Sequence, residues 1–241
     1  MAARAGKRST GVSREIKVKR FAYRIRIELE DYLFFASMEK GKVAETAPLI
    51  HNYALAYALS WAISPYYQEK QAPGYEKQLK PLNEEGVYIF PASPLEVTHR
   101  LMQYNTTSEP LWMMRPQSLG YPNWGFIKCL RPGSRFETYA LSHNPLSFPP
   151  RVRLGKWMSQ ARLEVEEVAI ERGTGKSSPI MVNVQDLPRL PATFTSMYNL
   201  LPTRLVKEAE WGEAVEGYRI KKMEGQQVEE EFLPESAFWW R

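Results

Sequence analysis

A chain of 241 residues, 44% of them hydrophobic, is long enough to bury a core in one large domain, which excludes a disordered protein. Its single cysteine, Cys129, excludes an internal disulfide and favours a reducing compartment. The net charge is +5, and the longest near-apolar run, residues 53–63, is too short to span a bilayer. We therefore expect a soluble cytoplasmic protein without a membrane partner.

The amino-terminal part of the chain contains the clearest strand signal. Residues 1–17 are polar and basic, and we expect them to form a flexible tail outside the fold. Apolar and charged residues then alternate from Phe21 to Glu30. This alternation predicts a half-buried β-strand.

One long helix is predicted after the first strand. Thr46 is suited to cap it, Pro48 is suited to its first turn, and apolar residues recur at helical spacing through Trp61. Because both sides of this segment are apolar, the helix should be buried. Its polar start, His51 and Asn52, is the exception.

The middle of the chain is rich in loop and turn signals. Residues 68–85 are polar and predict a loop before a short strand at 87–90. Residues 104–124 contain three prolines, no sustained period and many large apolar groups, which predicts an ordered, protruding loop. Two apolar runs, 126–130 and 135–141, flank a Pro-Gly turn and predict a β-hairpin.

Shorter elements are predicted downstream: a strand at 163–170, a helix at 193–201, and strands at 218–222 and 238–240. A strand, a helix and then several strands predict an α+β fold, with a modified RRM-like or ferredoxin-like core, long insertions and β-hairpins. We expect one such domain from residue 18 to 241, with the protruding loop inserted at about residues 101–125.

Positive charge is concentrated in two segments. Residues 1–20 and 115–162 contain seven and eight Lys or Arg, each against one acid, so they contribute +6 and +7 and the rest of the chain carries −8. A zoned positive field suits a polyphosphate, and aromatic rings between the cations of 115–162 can stack on unstacked bases. This favours RNA binding. The alternative is that these rings are core and these cations form a solvated rim.

The strongest local candidate for RNA contact is the segment 150–157. Arg151 and Arg153 share one face of an extended segment, Gly155 permits close backbone approach, and Lys156 and Trp157 supply charge and a stacking plane. The alternative is a strand edge protected by charges. Other candidates lie in the basic segment and at the helix start, where an anion is favoured: Lys128, Arg131, Arg135, His51 and Asn52.

No enzyme signature stands out. Gly175-Lys176-Ser177 resembles the end of a phosphate-binding loop, but Ile170 stands where that loop requires glycine, so we interpret 173–178 as a turn. The three histidines lack metal-ligand spacing, and no Gly-x-Ser-x-Gly elbow is present. We therefore predict no catalytic residue, metal or cofactor.

Two blocks resemble a known family. Residues 49–59 (Leu-Ile-His-Asn-Tyr-Ala-Leu-Ala-Tyr-Ala-Leu) and 153–159 (Arg-Leu-Gly-Lys-Trp-Met-Ser) are similar to the most recognisable blocks of the Csc1 family, the Cas5-type subunit of the type I-D CRISPR Cascade complex. Residues 33–36 (Leu-Phe-Phe-Ala) also resemble it. The resemblance extends from Phe21 to the carboxyl end and leaves the basic tail outside.

The resemblance implies a repeat-associated (RAMP) protein that holds the 5′ handle of the crRNA. Its neighbours would be the backbone-forming RAMP subunit and a large Cas10-like subunit. In related systems this subunit sends a thumb into the guide–target duplex, which makes the loop at 104–124 a candidate for contact with target DNA through Trp112, Met113, Met114 and Arg115.

In other related systems the subunit processes the crRNA itself. The alternative function is therefore a metal-independent endoribonuclease. In that case His51 and Tyr53 would be the proton-transfer pair, and Lys156 would stabilise the charge of the transition state.

Overall fold

The computed structural model describes residues 19–62, 64, 73–106, 123–224, 227–235 and 239–240. Within these ranges the protein is mostly β, with a few short helices. The helices are α1 (Asn52–Ala58), α2 (Tyr75–Leu79) and α3 (Leu82–Glu85). The strands are β1 (Phe21–Leu29), β2 (Met38–Lys40), β3 (Val43–Glu45), β4 (Tyr88–Ile89), β5 (Ser93–Glu96), β6 (His99–Thr106), β7 (Asn123–Leu130), β8 (Arg135–Ser142), β9 (Arg151–Leu154), β10 (Ser159–Val168), β11 (Ile170–Asn183), β12 (Thr193–Tyr198), β13 (Leu205–Glu224) and β14 (Gln227–Pro234).

The first sheet has the order β4–β8–β1–β10–β9, with β5 also paired to β8. The strand predicted from the alternation at Phe21 is confirmed as β1, where Ile25, Ile27 and Leu29 are each only 1% exposed. Arg24 lies opposite this apolar face and is also buried, at 4% exposed, and its charge is compensated because its Nε donates to Glu137 Oε2 at 2.7 Å. The central strand is therefore buried on parts of both faces.

The second sheet has the order β2–β3–β7–β6 and corrects the predicted hairpin. Strands form on both sides of the Pro-Gly turn, but β7 pairs with β6 and β3, whereas β8 pairs with β1. All of β8 except its first residue is buried, so it fits the centre of the first sheet beside β1. The turn at residues 131–134, with Gly133 at φ +81°, therefore links two sheets.

The third sheet has the order β11–β13–β12, with β14 paired to β13. Two predictions in this region are wrong: residues 173–178 lie inside β11 and form no turn, and residues 193–198 form β12 in place of a helix. The strand predicted at 218–222 is confirmed, but it is a small part of the 20-residue β13. Gly175 marks a close approach, since a Cβ there would lie 2.7 Å from the Phe232 ring.

At the carboxyl end, Trp239 and Trp240 lie in a turn in place of the predicted strand, and residue 238 is outside the described residues. Trp239 is fully buried and its Nε1 donates to the carbonyl of Val87 at 2.6 Å. This end of the chain therefore packs beside β4 and α1 as part of the main core.

The helical region is shorter than predicted. Helix α1 is capped by His51, and Thr46 instead bonds through its Oγ1 to both backbone groups of Phe35. The segment predicted as a polar loop contains α2 and α3. Contrary to the prediction, Asn52 at the start of α1 is fully buried. No helix in the described residues is long and apolar enough to cross a membrane.

Candidate nucleic-acid interface

The turn between β9 and β10, residues 155–158, is fixed against the segment that follows β1. Gly155 has φ +71°, and a Cβ at this position would lie only 2.6 Å from the carbonyl oxygen of Phe34. The same carbonyl accepts a 2.9 Å hydrogen bond from the Lys156 backbone N–H. The close backbone approach predicted for Gly155 is therefore confirmed, and the turn is held rigidly.

The side chains of this turn are presented to the surface. Trp157 is 43% exposed and rests on Phe34, with 5.1 Å between the ring centroids. Arg153 and Arg151 lie on the exposed face of β9, as predicted, and Arg153 Nη1 donates to the carbonyl of Met158 at 3.1 Å. Within the described ranges neither Arg153 nor Lys156 has an acidic partner. We call the residues 153–158 the basic turn.

The cations on the strands of the basic segment are paired with acids from other parts of the fold. Each strand cation contacts a carboxylate from a different part of the sequence: Arg151 with Glu30 at 2.9 and 3.0 Å, Arg162 with Glu28 at 2.6 Å, Arg135 with Glu96 at 2.5 Å, and Lys128 with Glu45 at 2.6 Å. The segment is free of acids in sequence but not in space. Strand pairing has removed much of its positive field.

This pairing lowers the pKa values of two acids, Glu30 and Glu45. The hydrogen bond from Arg151 is the largest cause that holds the pKa of Glu30 below its usual range. Hydrogen bonds from Lys128 and then Lys40 lower the pKa of Glu45 to about 2. Arg131 differs from these strand cations, because it lies exposed in the turn between β7 and β8.

A cleft of about 250 Å³ lies beside the basic turn. It brings together His51, Tyr53 and Lys156, the three residues predicted for the alternative function, with Tyr57, Tyr75 and mainly apolar side chains. Lys156 belongs to both the basic turn and the cleft wall. The two predicted blocks, at 49–59 and 153–159, therefore meet in one place.

The imidazole of His51 is already engaged within the protein. Its Nδ1 accepts from the Tyr53 backbone N–H at 3.1 Å, so in the neutral ring Nε2 carries the proton and donates to Thr203 Oγ1 at 2.9 Å. Burial lowers the pKa of His51 to about 4. The side chain is therefore neutral at pH 7.

Behind the cleft lies a buried polar cluster centred on Asp186. Its carboxylate accepts from Tyr53 OH at 2.7 Å, Asn52 Nδ2 at 2.9 Å, Tyr88 OH at 2.9 Å and the Trp240 N–H at 3.0 Å. Burial, the largest cause, raises the pKa of Asp186 to about 6, although these hydrogen bonds oppose the rise. Asn52 is thus used internally, and we leave it out of the candidate interface.

Sequence reasoning missed Asp186 because it lies 134 residues from Asn52, in a single 3₁₀ turn with no local motif. Among the described residues no group of three or more His, Cys, Asp and Glu side chains could hold a metal ion. The predicted thumb-tip residues Trp112, Met113, Met114 and Arg115 lie outside the described residues. The strands on either side, β6 and β7, stay paired up to Thr106 and Asn123.

Comparison with known proteins identifies the chain as a CRISPR-associated protein. The family model described as type I-D CRISPR-associated protein Cas5/Csc1 matches residues 20–236. The chain therefore belongs to this family, which confirms the resemblance carried by residues 49–59 and 153–159. Membership of this family supports a role as a subunit of a CRISPR effector complex.

The other comparisons are more distant. A chain of the type III-B Cmr-beta complex, solved by cryo-EM bound to cognate target RNA and AMPPnP, is similar at 13% identity with a TM-score of 0.42, over 80% of this chain and 86% of that chain. No curated protein matches the sequence.

Proposed function

We propose that this protein is a non-catalytic crRNA-binding subunit of a type I-D CRISPR effector complex and that the basic turn holds the 5′ handle of the crRNA. The observation that carries the proposal is the contrast between Arg153 and Lys156, which have no acidic partner among the described residues, and the paired strand cations around them. Unpaired cations on an exposed turn can neutralise phosphates without first breaking an ion pair.

The basic turn also suits a single strand more than a duplex. Trp157 offers a partly exposed ring on which an unstacked base can lie, and such stacking tolerates any base. Because the Phe34 carbonyl fixes the turn, little conformational freedom is lost when RNA binds. Phosphate contacts would position the handle, and other groups would have to read its sequence.

The proposal includes the partners that the family resemblance implies. The protein would contact the backbone-forming RAMP subunit and the large Cas10-like subunit. It would also contribute to recognition of target DNA through the segment between β6 and β7, where Trp112, Met113, Met114 and Arg115 are the candidate contacts.

Trp112→Ala should weaken target engagement by about 1–3 kcal/mol while assembly and handle binding persist. Failure of that variant to assemble would instead make the segment a subunit interface.

A second candidate function is supported by the shared cleft of His51, Tyr53 and Lys156. A metal-independent endoribonuclease needs a general base, a general acid and a cation at the developing charge. His51 is neutral at pH 7 and could accept a proton, but its Nδ1 already accepts a hydrogen bond. The hydroxyl of Tyr53 is held by Asp186, and its pKa is raised by burial and then by that carboxylate. These contacts favour the non-catalytic function.

Incubation with repeat RNA in EDTA separates the two functions. We expect purified protein to bind 5′-labelled repeat RNA and leave it intact, with binding reduced in Arg153→Ala/Lys156→Ala. Cleavage that persists in EDTA and is lost in His51→Ala would support the endoribonuclease and overturn the proposal. Arg189→Ala is a useful control, because Arg189 is an exposed cation paired with Glu213, does not line the cleft and is assigned no role in either mechanism.

A further inference from the structure

The wall of the cleft is apolar and aromatic over most of its surface. Tyr57 and Tyr75 line it from α1 and α2, and Leu200 and Leu201 line it from the loop between β12 and β13. The Tyr75 ring stacks on Trp240 at an interplanar angle of 15°, with 6.1 Å between centroids, and Tyr57 donates to Gln78 Oε1. The rings are therefore held in place before any ligand arrives.

A few polar groups with no internal role interrupt this apolar wall. Within the part of the chain that the structure describes, the hydroxyl of Tyr75, the hydroxyl of Ser37 and the ammonium of Lys156 have no hydrogen-bond partner, although all three residues line the cleft. Burial raises the pKa of Tyr75, so its hydroxyl keeps its proton at neutral pH and can donate. Apolar walls with a small number of free polar groups are typical of a site for a small ligand.

The charge of the cleft and its position beside the basic turn indicate the kind of ligand. Among the described residues that line the cleft, Lys156 is the one that is charged, since His51 is neutral at pH 7, and it also belongs to the basic turn. A strand whose phosphates lie on Arg153 and Lys156 would pass the mouth of the cleft. A nucleobase attached to that strand combines a flat apolar face with edge groups that can pair with hydroxyls.

We infer that the cleft binds one unstacked nucleobase of the RNA whose backbone lies on the basic turn. This inference rests on the proposed function and extends it: one face of the base stacks on the aromatic wall formed by Tyr57 and Tyr75, whose rings meet edge to face at 72°, and the hydroxyls of Ser37 and Tyr75 read its edge. The basic turn then fixes position along the strand, and the cleft supplies sequence preference.

The test uses full-length protein and labelled repeat-derived handle RNA in a series in which each RNA has one abasic nucleotide. In the wild-type protein, one abasic position should weaken binding by about 5- to 150-fold, the equivalent of one lost base–aromatic stack. Ala36→Trp places a large ring at an exposed position in the cleft wall, so it should fill the cleft. That variant should lose the penalty at this position and keep its salt dependence. Tyr75→Phe should keep the penalty but discriminate less among the four bases.

The matched control is Leu190→Trp, which adds the same ring at a 65% exposed site that does not line the cleft and should keep the abasic penalty. Melting temperatures of the variants show whether each is folded, and Tyr75→Ala serves as a second cleft variant. An equal penalty in wild type, Ala36→Trp and Tyr75→Ala overturns the inference. So does an Ala36→Trp protein that binds RNA normally but no longer assembles with other subunits, because the cleft then receives a protein segment.

Failure of the proposed function would give results different from those expected if only the inference is wrong. If the wild-type protein binds no repeat RNA, or if Arg153→Ala/Lys156→Ala leaves binding unchanged, the basic turn is not the RNA site and the inference falls with it. If binding depends on the basic turn while no abasic penalty responds to the cleft variants, only the inference is wrong.

Discussion

Two parts of the same basic stretch, the strands and the basic turn, both contain Lys or Arg residues but differ in electrostatics. On the strands, Arg135 and Arg162 each contact a glutamate on a neighbouring strand, and Arg151 contacts Glu30, which follows the end of β1. In the basic turn, Arg153, which still belongs to β9, and Lys156 have no acidic partner within the described ranges. Exposed ion pairs contribute little to stability, but they do cancel the field that a phosphate would feel. The difference teaches that a basic segment becomes a binding surface only where the fold leaves its charges unpaired.

The comparison predicts that a buried paired cation is needed for stability. Arg24 is 4% exposed and its partner Glu137 is 8% exposed, so Arg24→Ala leaves a buried carboxylate with longer contacts to Arg26, Lys222 and the Tyr139 hydroxyl. We expect a loss of about 3–5 kcal/mol in the free energy of unfolding, measured by urea denaturation. Arg162→Ala, at an exposed pair, should change the urea midpoint far less. Equal effects of the two substitutions would contradict this account of the strand cations.

Rigidity of the basic turn should depend on Gly155. Gly155→Ala places a Cβ 2.6 Å from the Phe34 carbonyl at a φ of +71°, so we expect a loss of about 1–3 kcal/mol in stability and weaker RNA binding with every cation still present. Gly133→Ala is the matched control. Its φ is +81° with no atom within 4 Å of the added Cβ, so it measures the backbone cost alone. If both variants lose the same stability, the contact with Phe34 is unimportant.

The ion pair between Lys128 and Glu45 in the second sheet should make thermal stability depend on pH. The pKa of Glu45 is lowered from 4.5 to about 2 by Lys128 and then Lys40, so its contribution to stability is complete above about pH 4.5 and is lost as the pH falls toward 2. The difference in melting temperature between wild type and Glu45→Gln should therefore shrink over this range. Lys128→Met removes the larger cause and should flatten the same difference. A constant difference from pH 7 to 2 would refute the pairing.

Some of these features could be predicted from sequence because their signals are local. The alternation in β1, the exposed face of Arg151 and Arg153, and the close approach at Gly155 each depend on residues a few positions apart. Strand partners do not depend on nearby residues. The sequence predicts the turn at 131–134, but nothing near it specifies that β8 pairs with β1 and not with β7. The choice depends on which long-range pairing buries more apolar surface.

The candidate site likewise contains some residues that the local sequence predicts and others that it does not. Lys156 and Trp157 were predicted from their own segment, whereas the carboxylates that neutralise Arg151 and Arg135 lie 121 and 39 residues away. The cleft wall is assembled from α1, α2, the basic turn and the loop after β12, and Asp186 behind it has no sequence signal. The local sequence predicts a helix at residues 193–198, but the pairing of β12 with β13 outweighs this weak helix propensity.

The central claim is that the cations of the basic turn, and not those of the strands, contact RNA phosphates. The most direct test is the salt dependence of binding to labelled repeat RNA for two double variants with the same charge change, Arg153→Ala/Lys156→Ala and Arg135→Ala/Arg151→Ala. Each single-strand phosphate contact adds about 0.7 to the slope of log K against log salt concentration. We predict that the turn variant loses about 1.4 from this slope and that the strand variant keeps the wild-type value. Equal losses in both variants, or a loss confined to the strand variant, would contradict the claim.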